Sequence, residues 1–152
     1  MSNNDTLTVE SGVTVDTSGA EPVELEGHTF STSSTTITNN GTIIGTTKGI
    51  EADQSTDFSI NNSGTVSVTD NANRPGSAIS LLQSKGTVSI TNSGTLESER
   101  ADTIKLHPST GTVTINNSGS ITSSKDRTIN FGQQANAGTI INSGTISGRA
   151  NT

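Results

Sequence analysis

Five times this chain sets an Asn two residues ahead of a Gly that is followed by Thr or Ser and then an aliphatic side chain. The phrases are NNGTI from Asn39, NSGTV from Asn62, NSGTL from Asn92, NSGSI from Asn117 and NSGTI from Asn142. Their glycines, Gly41, Gly64, Gly94, Gly119 and Gly144, stand 23, 30, 25 and 25 residues apart. A period in that range marks one supersecondary unit stacked on copies of itself. The chain is therefore expected to be a single solenoid domain over 1–152. It divides into an imperfect first coil and loop over 1–34, regular repeats over 35–148 and a truncated end over 149–152.

Aligned on their glycines, the copies expose three short strands per turn, each with the alternation that points one face into a core. The first strand precedes the Asn: Thr35/Ile37, Phe58/Ile60, Val88/Ile90, Val113/Ile115 and a shortened Gly138/Ile140. The second follows the Gly: Ile43/Gly45, Val66/Val68, Leu96/Ser98, Ile121/Ser123 and Ile146/Gly148. The third lies further on: Ile50/Ala52, Ile79/Leu81, Ile104/Leu106 and Ile129/Phe131. Upstream, Leu7/Val9, Val13/Val15 and Val23/Leu25 read as an imperfect extra turn. Unrelated Asn-Gly hairpins would match strands around each turn and need no third strand. Here the third strand begins 9, 15, 10 and 10 residues after the glycine. The expectation is an all-β parallel β-helix of roughly triangular section with about six coils of three short strands.

In such a stack the recurrent Asn has a mechanical reason. Asn tolerates sharp corners and bonds local backbone, and amides placed over one another can bond along the axis as they do in cross-β stacks. Asn39, Asn62, Asn92, Asn117 and Asn142 are thus expected to form a ladder. The glycine that follows is expected at positive φ, where a side chain would clash.

Composition fits this reading and removes several functions. Leu, Ile, Val and Phe make up about a fifth of the residues, at the edge of what reads as disordered. The apolar positions are periodic and the net charge is only -6, both of which argue for folding. Nucleic-acid binders cluster Lys and Arg to neutralise phosphates, whereas the eight basic residues here are dispersed from Lys48 to Arg149. With no Cys, neither a disulfide nor a thiolate metal site is available. Apolar runs stop at two residues, as in Leu81-Leu82, so no helix of the roughly 20 residues a bilayer needs is expected. The opening MSNNDT lacks the basic and apolar regions of a secretory signal, which places any export signal outside this sequence.

The phrase TINNSGSITSS from Thr114 to Ser124, with SINNSGTVSV, SITNSGTLES and TIINSGTISG, resembles the passenger region of bacterial autotransporters and related surface β-helix proteins. The resemblance covers about Thr35 to Gly148 and does not extend to a translocating barrel. It implies a right-handed parallel β-helix, displayed outside the cell on a bacterial surface, acting as an adhesin or stalk without catalysis or cofactor. The partners it implies are a host or cell-surface protein or a glycan. Open coil ends offer unpaired backbone groups to another strand, so self-association end to end into a filament is expected as well.

Two rival functions remain on the residues alone. Glu97, Glu99, Arg100, Asp102, Lys105 and His107 form the densest charged stretch, and a polysaccharide-active β-helix would need two carboxylates about 5 to 9.5 Å apart beside a groove. Glu97 and Glu99 could meet that spacing, but they lie on a strand exit facing solvent with no aromatic neighbour to stack a sugar, so a solvated charged face is the expectation. Ice binding is the other rival, suggested by outward pairs such as Thr112 and Thr114, Thr87 and Ser89, or Thr36 and Thr38, interrupted by Asp57 and Ser59. Threonine is also simply favoured in strands. No metal site is expected: His28 and His107 are far apart, and Asp53, Asp57, Asp70, Asp102 and Asp126 occupy inconsistent places in the repeat. Insertions in a solenoid emerge as loops on one side and often carry contacts. The long spacing places one at TDNANRPGS, Thr69 to Ser77, and SSKDR, Ser123 to Arg127, is a second. Asp70, Asn73, Arg74 and Lys125 are the candidate partner contacts.

Overall fold

A computed structural model describes residues 4–16, 23–25, 34–53, 57–69, 76–82, 86–107, 111–132 and 138–149 of the chain. Alternating sequences can bury only every second side chain, so they form strands that need a covered face. The first coil contains β1 (Asn4–Val9), β2 (Thr14–Asp16) and β3 (Val23–Leu25). The second contains β4 (Ser34–Asn39), β5 (Thr42–Gly45) and β6 (Lys48–Asp53), and the third β7 (Asp57–Asn62), β8 (Thr65–Val68) and β9 (Ser77–Leu82). Next come β10 (Val88–Asn92), β11 (Thr95–Ser98) and β12 (Ile104–His107), then β13 (Val113–Asn117), β14 (Ser120–Ser123) and β15 (Ile129–Asn130). The chain closes with β16 (Gly138–Asn142) and β17 (Thr145–Ser147).

Every third strand pairs with the one before it. Sheet A runs β1-β4-β7-β10-β13-β16, sheet B β2-β5-β8-β11-β14-β17 and sheet C β3-β6-β9-β12-β15. All pairs are parallel, and no helix occurs among the described residues. The protein is a parallel β-solenoid.

Register follows the inward alternation read from the sequence. In sheet A, Ile37, Ile60, Ile90, Ile115 and Ile140 lie over one another. In sheet B the column is Val15, Ile43, Val66, Leu96, Ile121 and Ile146. In sheet C it is Ile50, Ile79, Ile104 and Ile129. These columns meet in one narrow core in which Ile37, Ile60, Ile90 and Ile115 are fully buried. A slip of one residue would turn every apolar side chain outward, which is why so small a core holds a single register. The five-residue excess in the 30-residue spacing falls between β8 and β9, where the sequence placed it.

Two expectations change. Instead of about six coils, four, from β4 to β15, build the buried rod. The first coil is thin, and past β15 only β16 and β17 follow among the described residues, with every residue exposed. An end coil has a neighbour on one side only, and the inward Ile140 is 42% exposed there. Val13, read as an inward residue of the first coil, is instead 46% exposed. Its corner is wider than the others: the Val13 N–H turns back onto the Glu10 carbonyl at 3.1 Å, and Gly12 sits at φ 81°.

Candidate functional site, a column of asparagine amides

Each strand of sheet A from β4 onward ends on an Asn whose side chain points into the rod, and the registers stack Asn39, Asn62, Asn92, Asn117 and Asn142. The amides bond in one direction. Asn39 Nδ2 donates to Asn62 Oδ1 at 2.8 Å, Asn62 Nδ2 to Asn92 Oδ1 at 2.7 Å, Asn92 Nδ2 to Asn117 Oδ1 at 2.7 Å and Asn117 Nδ2 to Asn142 Oδ1 at 2.7 Å. The same nitrogens reach the backbone of the next coil, at Thr65 O, Thr95 O, Ser120 O and Thr145 O. The backbone carbonyls of Asn39, Asn62, Asn92 and Asn117 each accept two N–H groups from the coil above, as Asn62 O does from Ser93 at 2.8 Å and Gly94 at 3.2 Å. Asn39 and Asn92 are 0% exposed. A buried polar group is tolerated only when bonded, and here the repeat itself supplies the partners.

At its lower end the column stops on an apolar residue. Val9 stands in register beneath Asn39, and Asn39 Oδ1 is a buried acceptor with no hydrogen-bond partner among the described residues. At the upper end, Asn142 is exposed and its Nδ2 donates back to Gly144 O at 3.1 Å.

The glycines of the phrase follow a different rule from the one expected. Among the described glycines only Gly12 and Gly132 have positive φ, so Gly41, Gly64, Gly94, Gly119 and Gly144 do not. What excludes a side chain there is the neighbouring coil. A Cβ added at Gly94 would run into the carbonyl oxygen of Gly64, and one at Gly119 into that of Gly94. The same oxygens accept the next coil's N–H, as Gly64 O does from Thr95 at 2.8 Å. Close backbone approach, rather than a left-handed turn, keeps the column free of side chains.

Alternation marks Ser98 and Ser123 only as inward strand residues, and the structure shows that they form a second polar column. Ser98 and Ser123 lie in register at the end of sheet B and are buried. Ser98 Oγ donates to Gly76 O at 2.7 Å and accepts the Ala101 N–H at 3.2 Å. Ser123 Oγ repeats the pattern with Ala101 O at 2.9 Å and the Asp126 N–H at 3.1 Å. Their spacing of 25 residues, equal to that of the ladder, was the available signal.

The charged stretch is only partly a solvated face. Asp102 is 5% exposed and accepts from Arg127 Nε at 3.0 Å and from Asn130 Nδ2 at 2.6 Å. It clamps one coil to the next. Glu99 accepts from Lys125 Nζ at 3.1 Å, and Glu97 and Glu99 line a shallow groove of about 200 Å³ with Ser67 and Thr122. Lys125 therefore sits in an exposed inter-coil ion pair. Asp70, Asn73 and Arg74 lie outside the described residues, as do His28 and the His107 side chain. Among the described residues no three His, Cys, Asp or Glu side chains gather as metal ligands, and no helix is long and apolar enough to cross a membrane.

The three outer faces differ in charge. Sheet C carries Glu51, Ser80, Lys105 and Asn130 in its outward column, of which Glu51 and Ser80 are buried and Lys105 and Asn130 half-buried. Sheet B pairs a hydroxyl column with one that runs Asp16, Ile44, Ser67, Glu97, Thr122 and Ser147. Sheet A carries no charge in its two central outward columns. One runs Thr6, Thr36, Ser59, Ser89, Thr114 and Thr139, the other Thr8, Thr38, Asn61, Thr91, Asn116 and Ile141. Its marginal acid, Asp57, accepts the Thr87 N–H at 2.7 Å. No family model, curated protein or solved structure matches the chain.

Proposed function

We propose that this chain is a non-catalytic structural or adhesive rod of a bacterial cell-surface protein, of the autotransporter-passenger kind, that associates through its coil ends. One observation carries the reading. The residues that recur in every copy bond to the next copy: four successive Asn amides donate upward, and the glycines make room for the next backbone. A repeat whose invariant positions serve stacking is built to set length and stiffness. The outer faces and any inserted loops then supply contacts, and the partners in this reading are a host or surface protein or glycan, and further copies of the rod.

Support for end association comes from the last strands. The outer edges of β16 and β17 have no strand partner among the described residues, and Ile140, Ile141 and Ile146 are exposed beside them. Unpaired strand edges are templates for another strand. Sedimentation across a wide concentration range tests the association, with larger species expected as concentration rises. A strictly monomeric protein throughout would remove that part of the reading. Incubation with a panel of polysaccharides tests the rest, since release of shortened or unsaturated products would overturn a non-catalytic role and point to the groove at Glu97 and Glu99.

A further inference from the structure

Sheet A is the face whose outward chemistry is both neutral and periodic. Its two central columns hold nine hydroxyls, two amides and one Ile over six strands in continuous register. Parallel strands lie about 4.8 Å apart and alternate residues about 6.6 Å apart along each strand. The result is a two-dimensional grid of hydrogen-bonding groups with the strand spacing on one side and the pleat repeat on the other. Threonine and serine hydroxyls each donate and accept, so each of the nine hydroxyl points can hold one water at a defined height. β-Branched threonines are also restricted at χ1, which limits how far the hydroxyls wander.

We infer that this face binds the surface of ice, anchoring a layer of ordered water on its hydroxyl grid. Three features select this occupant. The face bears no charge in its central columns, so it fits a neutral lattice rather than a phosphate or an acidic peptide. Its contacts repeat with the coil, so it fits a partner that repeats at spacings of a few water diameters. It also lacks a stacking platform: Phe58, the aromatic residue of sheet A, points inward and is 2% exposed, whereas sugar-binding faces stack rings on exposed aromatics. Each grid point contributes little, because an ordered water is nearly as good as a direct hydrogen bond and costs little entropy. Adhesion is the sum over the array, so a single bulky charge near its centre interrupts it. This inference is independent of end association, since it concerns the side of the rod.

Thermal hysteresis of the purified chain, measured by nanolitre osmometry with observation of crystal shape, is the test. The native protein is expected to shape crystals and open a gap between melting and freezing points. Ser89→Lys and Thr91→Lys, which place a cation at the centre of sheet A, are expected to lose most of that gap. Thr122→Lys, on the outer face of sheet B, is expected to keep it. Thermal melting of all three reports that the fold is intact, and Thr91 is fully outward, so at least one variant probes the face without touching the core. Absence of hysteresis and shaping in the native protein overturns the inference, as does equal hysteresis in Thr91→Lys and Thr122→Lys. Sedimentation with crystalline cellulose or chitin, in the absence of any hysteresis, overturns it in favour of a glycan surface.

Discussion

Asn92→Ala cuts the ladder at its middle, and the cost can be assembled from the bonds it removes. Two amide–amide bonds vanish, from Asn62 Nδ2 and to Asn117 Oδ1, both at 2.7 Å, and with them go the longer bonds from Asn92 Nδ2 to Ser120 O at 3.1 Å and Gly94 O at 3.2 Å. Asn62 Nδ2 keeps Thr95 O and Gly64 O as acceptors. Asn117 Oδ1, on a residue 2% exposed, loses its donor and has little access to water. A typical net hydrogen bond is worth about 1 kcal/mol and an orphaned buried acceptor costs about 1–3 kcal/mol, so the two ladder bonds and the orphaned oxygen alone sum to about 3–5 kcal/mol. Asn142→Ala removes an equivalent amide from the exposed end of the same column, where water replaces the lost partner, and should cost no more than about 1 kcal/mol. Asn61→Ala, one residue before Asn62 and facing outward, should fall within about 0.5 kcal/mol of the native chain.

Urea unfolding followed by far-UV circular dichroism separates these three values if the transition midpoints move while the slopes hold. The order Asn92 well above Asn142, and Asn142 at or above Asn61, is what the burial of each amide requires. Equal losses for Asn92→Ala and Asn142→Ala would refute the reasoning, because they would mean that the axial bonds contribute no more inside the rod than at its wet end.

Three further outcomes follow from the same contacts. Gly94→Ala should lose more than about 3 kcal/mol or fail to fold, because its Cβ meets the Gly64 carbonyl rather than a movable side chain, while Gly12→Ala, with open space around it, should lose only the roughly 1 kcal/mol of a left-handed backbone; chemical denaturation of the pair gives the comparison. Val9→Asn supplies a donor to the orphaned Asn39 Oδ1, relieving about 1–3 kcal/mol against the roughly 1.5–3 kcal/mol of lost apolar burial. It should therefore be near neutral in melting experiments, whereas Val88→Asn, with no such acceptor waiting, should be strongly destabilising. Ser98→Ala leaves Gly76 O and the Ala101 N–H without their shared partner and should cost about 1–3 kcal/mol, with faster amide exchange at Ala101 as the local readout.

The solenoid and its registers were legible because two signals with different periods agree. Alternation within a strand identifies inward residues, and the 25-residue spacing of Asn92, Asn117 and Asn142 identifies which of them share a column. The ladder could be read for the same reason: Asn is rarely placed at a buried position unless something repeats to satisfy it. What misled the reading was local chemistry interpreted without neighbours. A Gly after Asn suggests a left-handed turn, yet the carbonyl that excludes a side chain at Gly94 belongs to Gly64, thirty residues earlier. Asp102 in a run of charges suggests solvent, yet Arg127 and Asn130 come from the next coil. Val13 alternates correctly but falls inside a corner two residues longer than the rest, just ahead of β2, so its side chain turns outward.

The same dependence on neighbours decides where contact chemistry in this molecule lies. In a globular domain a binding site gathers residues from unrelated segments, whereas here each outer face is fixed once one coil is aligned with the next. The pairs Thr36 and Thr38, Ser59 and Asn61, and Ser89 and Thr91 look interrupted when read along the chain, because Asp57 and the 30-residue spacing intervene. Register removes the interruption by moving Asp57 to the margin, beside Thr87, and bringing the three pairs into adjacent rows. A neutral array of this extent is a property of the stack and of no single repeat. It follows that substitutions on sheet A should act through their row and column, so a charge at Ser89 is felt by the whole face while one at Thr122 is not.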